Sequence, residues 1–364
     1  MRVPAKINLQ LAVGPLRPDG YHGLVTVFHA ISLFDEVTVV PADTDSVTVS
    51  GEGAEHVPED ADNLALRAVR AFRAEQERRG LAPGDGVAVA IGKRIPVAGG
   101  MAGGSADAAA ALVACNELWA AGLSQSELCE IGAAVGSDVA FAVLGGTAVG
   151  RGRGEQLSPA LVAAVRYHWV LALADGHLPT PAVYGKLDQL RGGRDVAEPE
   201  LNTELMSALR SGDAGRLGAA ISNDLQAPAI ALFPALGLTL SAGEELGALG
   251  GLVSGSGPTC YFLARDDSHA KDLAASLSAE GVCRAVATAS GPAAGASVIA
   301  LNALWRTFLG LRPSILSSRR KSYSVPSPLA STTATGSAWS AGTATARAAC
   351  SPCWPAGCDP TRDG

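Results

Sequence analysis

The sequence predicts an α+β protein whose two domains lie on either side of a cleft, and three observations lead to this prediction. Apolar and polar side chains alternate along residues 3–13, which is the pattern of a β-strand. A glycine-rich segment at 96–106 joins a predicted strand to a predicted helix. Beyond about residue 156 the predicted order is strand, helices, two strands, helix and strand, which is typical of ferredoxin-like domains.

The composition indicates a globular protein with a sizeable core. The chain has 364 residues, of which 48% are hydrophobic and 17% are charged. A chain of this length commonly forms two domains. No uninterrupted apolar run reaches about 18 residues, and the N-terminus lacks the long apolar segment of a signal peptide. We therefore expect a cytoplasmic protein that is not associated with a membrane.

The net charge and the cysteines disfavour two kinds of partner. A net charge of -7 argues against a nucleic-acid partner, because such a surface needs clustered lysine and arginine. Cys115, Cys129, Cys260 and Cys283 lie singly in apolar segments, without the spacing of zinc ligands. We expect these four to be reduced thiols, and no protein metal site is predicted.

The other elements are predicted from local signals. Strands are expected at 36–40, 46–50 and 87–91, and helices at 64–79 and 106–121. Ser124 and Glu127 have the spacing of a capping box, which predicts a helix that ends near Gly136. A short helix is expected from Val139. The second half has strands predicted at 168–174, 251–253, 260–264 and 283–288, with helices between 181 and 225 and at 268–280.

The composition changes near residue 300. More than half of residues 300–364 are Ser, Thr, Ala or Pro, which is typical of a disordered segment and would also result from a frameshift. Cys350 and Cys353 have the spacing of half a metal knuckle, but no second half follows. We predict one domain at 1–155, a second at 156–299, and a disordered tail at 300–364.

The segment from Pro96 to Ala106 is the most informative in the chain. Its paired glycines let the backbone approach a ligand closely, and the unbonded amides at the start of the following helix favour an anion. A Walker loop would need Lys-Ser or Lys-Thr after the last glycine, and a dinucleotide fingerprint would need a different glycine spacing. The segment therefore predicts a phosphate-binding loop. The alternative is a glycine-rich turn with Ser105 as an ordinary N-cap.

Lys6 and Asp138 are candidate reactive residues. A period of two places Lys6 and Asn8 on the same face of the first strand. A lone lysine of this kind is usually solvated. Asp138 suits either a general base or the N-cap of the short helix starting at Val139, and the residues alone leave both open.

Seven short motifs are spread over roughly residues 3–299. They are Pro4-Ala-Lys-Ile-Asn-Leu9, Arg17-Pro-Asp-Gly-Tyr-His22, Asp62-Asn-Leu64, the glycine-rich segment with Ser105-Ala-Asp107, Gly136-Ser-Asp-Val139, Thr180-Pro181 with Tyr184, and Gly255-Ser-Gly-Pro-Thr259. Together and in this order they resemble the GHMP kinases, which transfer the γ-phosphoryl group of ATP to an alcohol. The resemblance implies an N-terminal ATP-binding α/β domain, a C-terminal ferredoxin-like domain, and an active site in the cleft between them.

The resemblance also implies roles for the matching residues. Asp138 would accept the proton of the alcohol, and Lys6 would favour the ionised carboxylate and help to position the alcohol. Mg²⁺ and the phosphates would lie near Ser105. The residues implied to bind ATP are Asn63, Pro96, Val97, Ala98, Gly99, Gly100, Met101, Ala102, Gly103, Gly104, Ser105 and Ala106.

The members that the chain resembles most act on a small molecule, a cytidine-diphosphate-linked methylerythritol, and phosphorylate its tertiary hydroxyl. The resemblance implies that His22 hydrogen-bonds the edge of the cytosine and that Tyr184 stacks on its face. From composition alone, Tyr21 and His22 would be an amphipathic tyrosine and a satisfied histidine. The residues implied to bind this substrate are Asn8, Tyr21, His22, Thr180 and Tyr184.

Two alternative functions stay open. A GHMP kinase of the homoserine or mevalonate type would share the ATP loop but take a different alcohol. A non-catalytic nucleotide-binding member would lack turnover, although the presence of both Lys6 and Asp138 disfavours it.

Asp107, expected in the first turn of its helix, suits the helix dipole and is not assigned to catalysis. The loop at 255–258 is expected to be either a tight hairpin or a support for the phosphate site.

Overall fold

A computed structural model describes residues 1–299, and the predicted tail at 300–364 lies outside them. The strands are β1 (Arg2–Leu16), β2 (His22–Pro41), β3 (Ser46–Gly51), β4 (Val87–Lys93), β5 (Thr147–Gly152), β6 (Gln156–Pro159), β7 (Tyr167–Leu173), β8 (Ser222–Asn223), β9 (Gly250–Val253), β10 (Cys260–Ala264) and β11 (Ala285–Gly291). The helices are α1 (Leu64–Arg78), α2 (Gly103–Leu118), α3 (Gln125–Val135), α4 (Ser137–Leu144), α5 (Thr180–Arg191), α6 (Thr203–Ser211), α7 (Ala214–Ala220), α8 (Gln226–Leu232), α9 (Ala235–Glu245) and α10 (Asp267–Glu280). The predicted α+β class is confirmed.

In the larger sheet, the first strand lies between the long strand β2 and the two-residue strand β8. Its strand order is β3-β4-β2-β1-β8, and β5 pairs with both β2 and β6. The 20 residues of β2 allow its first half to pair with β5 and its last residues to pair with β4. In the antiparallel pairing of β1 with β2, Lys6 lies opposite Ala30 and Asn8 lies opposite Phe28. Lys6 and Asn8 therefore share one face of β1, as the alternation predicts.

The smaller sheet has the predicted ferredoxin-like order. Its strands are arranged β11-β7-β10-β9, and each neighbouring pair is antiparallel. Helices α5 to α9 fall between β7 and β9 along the chain, and α10 falls between β10 and β11. This sequence of strand, helices, two strands, helix and strand is the split β-α-β arrangement.

A hydrophobic core connects the two sheets. Ile7 and Ile31 of the larger sheet belong to the same buried cluster as Trp169, Leu171 and Tyr261 of the smaller sheet. Interdigitated side chains of this kind resist relative movement of the elements that carry them. Because this core contains residues from both sheets, it does not separate the chain at residue 155, and the domain boundary there stays a prediction.

Two helices begin earlier than predicted, and three interpretations change as a result. Helix α2 begins at Gly103 after Ala102, so Ser105 is not its N-cap, and Asp107 lies in the second turn rather than the first. Helix α4 begins at Ser137, which makes Gly136 both the C-cap of α3 and the N-cap of α4. Asp138 is the second residue of α4 and therefore lies inside its first turn. The interpretation of Asp138 as the N-cap of a helix starting at Val139 is therefore wrong.

The cysteines of the described region are free thiols, as predicted. Burial raises the pKa of Cys115 and of Cys260 to about 12, which keeps both protonated.

Over residues 1–299, none of the helices has the length and apolar character needed to cross a bilayer.

Candidate active site

A cavity of about 610 Å³ lies where β1, the glycine-rich loop and the starts of α2 and α4 meet. Lys6 and Asn8 reach its wall from β1, Ser105 reaches it from α2, and Asp138 reaches it from α4. These residues are distant in the sequence, so the fold brings the two predicted reactive side chains to one cavity with the predicted phosphate loop. We call this space the central cavity.

Lys6 and Asp138 form the charged pair of the central cavity. The Lys6 Nζ lies 3.8 Å from the Asp138 Oδ2. The Lys6 ammonium also donates hydrogen bonds to the Asn8 Oδ1 at 2.7 Å and to the Gly100 carbonyl at 3.2 Å. Burial lowers the pKa of Lys6, and the negative charge of Asp138 opposes that effect. Asp138 therefore favours the charged form of a lysine that is only 8% exposed.

A chain of hydrogen bonds fixes the side chain of Asn8. Its Nδ2 donates to the Thr26 hydroxyl at 2.8 Å, and that hydroxyl donates to the Gln10 carbonyl at 2.7 Å. The Tyr261 hydroxyl donates to the Asn8 carbonyl at 2.6 Å. With the amide nitrogen held by Thr26, the Asn8 Oδ1 faces Lys6. In this structure the predicted substrate-binding residue Asn8 therefore orients Lys6.

The glycine-rich loop packs closely against the segment 254–259. Gly100 has a φ of +76°, and a Cβ at that position would overlap the carbonyl oxygen of Ser254. The Ser254 hydroxyl donates to the Gly100 carbonyl at 3.1 Å. Only glycine accommodates both the left-handed backbone and this contact. The loop between β9 and β10 therefore supports the predicted phosphate loop, which was one of its two expected roles.

The start of α2 presents free amides to the central cavity. Among the described residues, no side chain caps this helix, whereas Ser124 and Glu127 form the predicted capping box on α3. Gly103, Gly104 and Ser105 line the cavity at the positive end of the helix dipole. Uncapped amides in this position are suited to hold an anion such as phosphate.

The residues implied to bind ATP fall into groups with different surroundings. Pro96 and Val97 line neighbouring cavities. Met101 and Ala106 are buried, and the Met101 carbonyl accepts a hydrogen bond from the Lys6 backbone amide at 3.3 Å. The members that line the central cavity are Ala98, Gly99, Gly100, Ala102, Gly103, Gly104 and Ser105.

Asn63 lies beside the central cavity and caps a helix. Its Oδ1 accepts a hydrogen bond from the Ala65 amide at 2.9 Å, and its Nδ2 donates to the Pro58 carbonyl at 2.7 Å. It lines a small cavity of about 170 Å³, which shares Ala98 and Gly104 with the central cavity. The structure therefore gives Asn63 a capping role on α1 next to the predicted nucleotide site.

The residues implied to hold the cytidine lie together in a third cavity of about 800 Å³. Tyr21, His22, Thr180 and Tyr184 all line it, and Thr180 and Tyr184 also line the central cavity. The rings of His22 and Tyr184 stack with centroids 5.2 Å apart and an interplanar angle of 30°. The His22 Nε2 lies 3.0 Å from the Asp188 Oδ1. We call this space the aromatic cavity.

Sequence reasoning missed Arg153 and Asp188. Arg153 lines both the central and the aromatic cavity, and its guanidinium lies 4.9 Å from the ring centroid of Tyr21. Asp188 orients the ring of His22 from α5. An arginine between two glycines and an aspartate on a helix are both usually solvated. The sequence around Arg153 and Asp188 therefore gave no indication that they line a binding site.

The described residues do not form a metal cage of their own. In the region 1–299, no group of three or more His, Cys, Asp or Glu side chains could hold a metal ion. Mg²⁺ in phosphoryl-transfer sites usually keeps several waters and binds one or two carboxylates together with substrate phosphates. The Asp138 carboxylate and the Ser105 hydroxyl, which both line the central cavity, are oxygen donors of this kind.

Two regions of the chain match descriptions of known families. Residues 63–146 match "GHMP kinases N terminal domain", and residues 205–283 match "GHMP kinases C terminal". The chain belongs to the GHMP kinases, a family of small-molecule kinases, and this membership implies ATP as the phosphoryl donor.

Individual relatives share one name. The 4-diphosphocytidyl-2-C-methyl-D-erythritol kinase of Thermobifida fusca is 55% identical over 307 residues, which cover 82% of this chain and 97% of the relative. The protein of the same name from Streptomyces avermitilis is 54% identical over 299 residues, with 82% and 99% covered. The resemblance found in the sequence is confirmed.

Solved structures agree on the fold. A crystal structure of 4-(cytidine 5'-diphospho)-2C-methyl-D-erythritol kinase is 32% identical, with a TM-score of 0.63 over 80% of this chain and 98% of the other. The homoserine kinase of Cytophaga hutchinsonii is 18% identical, with a TM-score of 0.59 over 82% of this chain and 96% of the other. At that identity the second likeness shows the fold alone.

Proposed function

We propose that this protein transfers the γ-phosphoryl group of ATP to the C2 hydroxyl of 4-diphosphocytidyl-2-C-methyl-D-erythritol, giving the 2-phosphate and ADP. The reaction would belong to the non-mevalonate isoprenoid pathway and take place in the cytoplasm, where ATP is available. One observation carries the proposal: the Lys6–Asp138 pair lies on a cavity that meets both the glycine-rich loop and the aromatic cavity. The relatives that bear this substrate's name support the same choice of alcohol.

Asp138 is the proposed general base. Its carboxylate accepts the proton of the C2 hydroxyl as that oxygen attacks the γ-phosphorus. Lys6, at 3.8 Å, stabilises the ionised carboxylate and helps to position the alcohol oxygen. Asn8 holds the lysine in this orientation through its Oδ1. Base catalysis contributes modestly to phosphoryl transfer, so positioning is the larger part of this pair's role.

The glycine-rich loop and the start of α2 are proposed to hold the triphosphate. The free amides of Gly103, Gly104 and Ser105 donate to phosphate oxygens and stabilise charge on them. Mg²⁺, when bound with ATP, neutralises charge on the β- and γ-phosphates. Ser105 is the protein oxygen that we expect beside it, with water and phosphate as the other ligands, because the Asp138 carboxylate is assigned to the proton of the alcohol.

The aromatic cavity is proposed to hold the cytidine. Tyr184 offers a flat face for stacking on the cytosine, and burial raises its pKa to about 12, so the ring stays neutral. Asp188 engages the His22 Nε2, so the Nδ1 is the ring nitrogen proposed to hydrogen-bond the edge of the base. Arg153 lines both cavities and is proposed to bind the diphosphate that links the cytidine to the alcohol.

The test is the release of ADP by the purified protein with Mg-ATP and one alcohol at a time. We expect release with 4-diphosphocytidyl-2-C-methyl-D-erythritol, inhibition of that release by cytidine diphosphate, and background rates with homoserine and mevalonate. Preferential turnover of homoserine or mevalonate would replace the proposed substrate. Binding of ATP without turnover of any of the three would favour a non-catalytic member.

A further inference from the structure

Three buried charged residues lie beside the glycine-rich loop, and two of them, Lys93 and Asp107, line the small cavity that Asn63 also lines. The Lys93 ammonium donates a short hydrogen bond to Asp35 and another to the Asp107 Oδ2 at 2.7 Å. The three residues are each at most 3% exposed. We call Lys93, Asp35 and Asp107 the buried triad. None of them has a role in the proposed chemistry.

The buried triad joins the two ends of the glycine-rich loop. Lys93 is the last residue of β4, and the Asp35 Oδ1 accepts hydrogen bonds from the backbone amides of Arg94 at 2.6 Å and Ile95 at 2.8 Å, where the loop begins. Asp107 is in the second turn of α2, where the loop has ended. One lysine therefore connects the entry of the loop with the helix that follows it.

The first turn of α2 is in contact with the Lys93 side chain. A Cβ added to Gly103 would lie 3.0 Å from the Lys93 Nζ, so the backbone of Gly103 is in close contact with the ammonium. Gly103 is one of the residues that present amides to the central cavity. The position of Lys93 thus sets how far the start of α2 lies from β4.

Stability alone does not account for the buried triad. Replacing a buried ion pair by apolar residues of similar volume is often neutral or stabilising. Here two carboxylates share one ammonium, and within the described chain the Asp107 Oδ1 has no hydrogen-bond partner. Burial raises the pKa of Asp107 to about 7. Buried polar contacts that do not add to stability but hold a binding segment in place are typical of residues that position a site. The buried triad and the start of α2 fit this description.

We propose that the buried triad positions the start of α2, so that its amides meet the phosphates of a nucleoside triphosphate. This inference rests on the proposed function for the identity of the ligand. It makes Lys93, Asp35 and Asp107 positioning residues for the nucleotide, without contact with the alcohol. Losing the triad should therefore weaken ATP binding and leave the affinity for the cytidine substrate unchanged.

A pair of variants of equal size at one position tests this role. Asp107→Asn keeps an oxygen that can accept from Lys93, whereas Asp107→Leu has a similar volume and no acceptor. Lys93 keeps Asp35 as its partner in both, so we expect both to fold. Lys271→Met is the control, because it removes an exposed lysine and its ion pair with Asp267 far from the loop.

The measurements are calorimetric binding of Mg-ATP, KM for each substrate, and thermal unfolding. We expect Asp107→Leu to weaken ATP binding about tenfold, with KM for the cytidine substrate changed less than about twofold. Asp107→Asn and Lys271→Met should bind ATP like the wild type. A folded Asp107→Leu with wild-type ATP affinity would overturn the positioning role.

Two further outcomes stay distinguishable. If Asp107→Leu does not fold, Lys93→Met/Asp35→Asn/Asp107→Leu removes all three charges and keeps an acceptor for the Arg94 and Ile95 amides. Wild-type ATP affinity in that triple variant would equally overturn the role. If the wild type binds ATP but does not phosphorylate the cytidine substrate, the proposed function fails. The comparison of ATP affinities would still decide whether the buried triad positions α2.

Discussion

The Lys6 ammonium lies 3.8 Å from a carboxylate oxygen of Asp138, at the point where β1 passes the start of α4. Asn8 and the Gly100 carbonyl hold the ammonium there. The same lysine thus contacts the proposed base and the proposed phosphate loop. In the proposed reaction, Lys6 would therefore hold the base and the phosphate loop in a fixed relation to each other.

Replacing Asp138 by Asn tests the proposed base. The amide keeps the shape of the side chain but cannot accept the proton, so we expect kcat to fall by about 100-fold or more. The affinity for Mg-ATP, measured by calorimetry, should stay nearly unchanged because the loop amides are intact. Wild-type turnover in this variant would remove Asp138 from the mechanism.

Changing Tyr184 tests the stacking role in the aromatic cavity. Tyr184→Phe keeps the ring, and we expect KM for the cytidine substrate to stay close to that of the wild type. Tyr184→Ala removes the stacking surface, which should raise that KM by about tenfold. KM for ATP should not change in either variant. Equal behaviour of the two variants toward the cytidine substrate would exclude stacking at this position.

Gly100 and Gly80 make a matched pair for the contact between the glycine-rich loop and the segment 254–259. Both have a left-handed φ, of +76° and +71°, but only at Gly100 would a Cβ overlap Ser254. We expect Gly80→Ala to lower the free energy of unfolding by about 1 kcal/mol through backbone strain, with activity retained. Gly100→Ala should lose more stability and most ATP binding.

Chemical denaturation and ATP calorimetry on the two variants provide this comparison. Equal losses of stability with ATP affinity retained in Gly100→Ala would show that the contact with Ser254 is not needed. The expected difference comes from the displaced loop, because the backbone strain is common to both positions.

The raised pKa of Asp107 predicts a pH-dependent contribution to stability. Burial and the negative charge of Asp35 raise its pKa from 3.8 to about 7, against the opposing effect of the Lys93 charge. Between these values the folded protein binds the proton more strongly than the unfolded chain. The contribution of Asp107 to the free energy of unfolding is therefore largest below about pH 4 and falls as the pH rises toward about 7.

Urea denaturation of the wild type and of Asp107→Asn over this pH range measures that contribution. Because Asn binds no proton, the stability of the wild type relative to the variant should fall with rising pH, by at most about 1.4 kcal/mol per pH unit. Parallel stability curves for the two proteins would contradict the raised pKa of Asp107.

Local patterns predicted those parts of the protein that depend on a few neighbouring residues. The alternation along β1 places Lys6 and Asn8 on one face, and the capping box at Ser124 marks the start of α3. The start of α4 was mispredicted because it depends on Gly136, which α3 and α4 share. Packing between two helices decides that boundary.

The buried triad and Arg153 carry no such local signal. Asp35 meets Lys93 only because the end of β2 pairs with β4, where Glu36 lies opposite Gly92. Arg153 reaches the two cavities because β5 pairs with the first half of β2. Both depend on strand pairings between residues far apart in the chain, which single-sequence periodicity does not specify.

The most direct test of the proposed reaction follows the phosphoryl group itself. The wild type and Asp138→Asn are incubated with Mg-ATP and 4-diphosphocytidyl-2-C-methyl-D-erythritol, and the products are examined by phosphorus NMR. We expect the wild type to form a new phosphomonoester on the C2 oxygen together with ADP, and Asp138→Asn to form it about 100-fold more slowly or not at all. Release of inorganic phosphate without the phosphomonoester, or its formation by Asp138→Asn at the wild-type rate, would contradict the account.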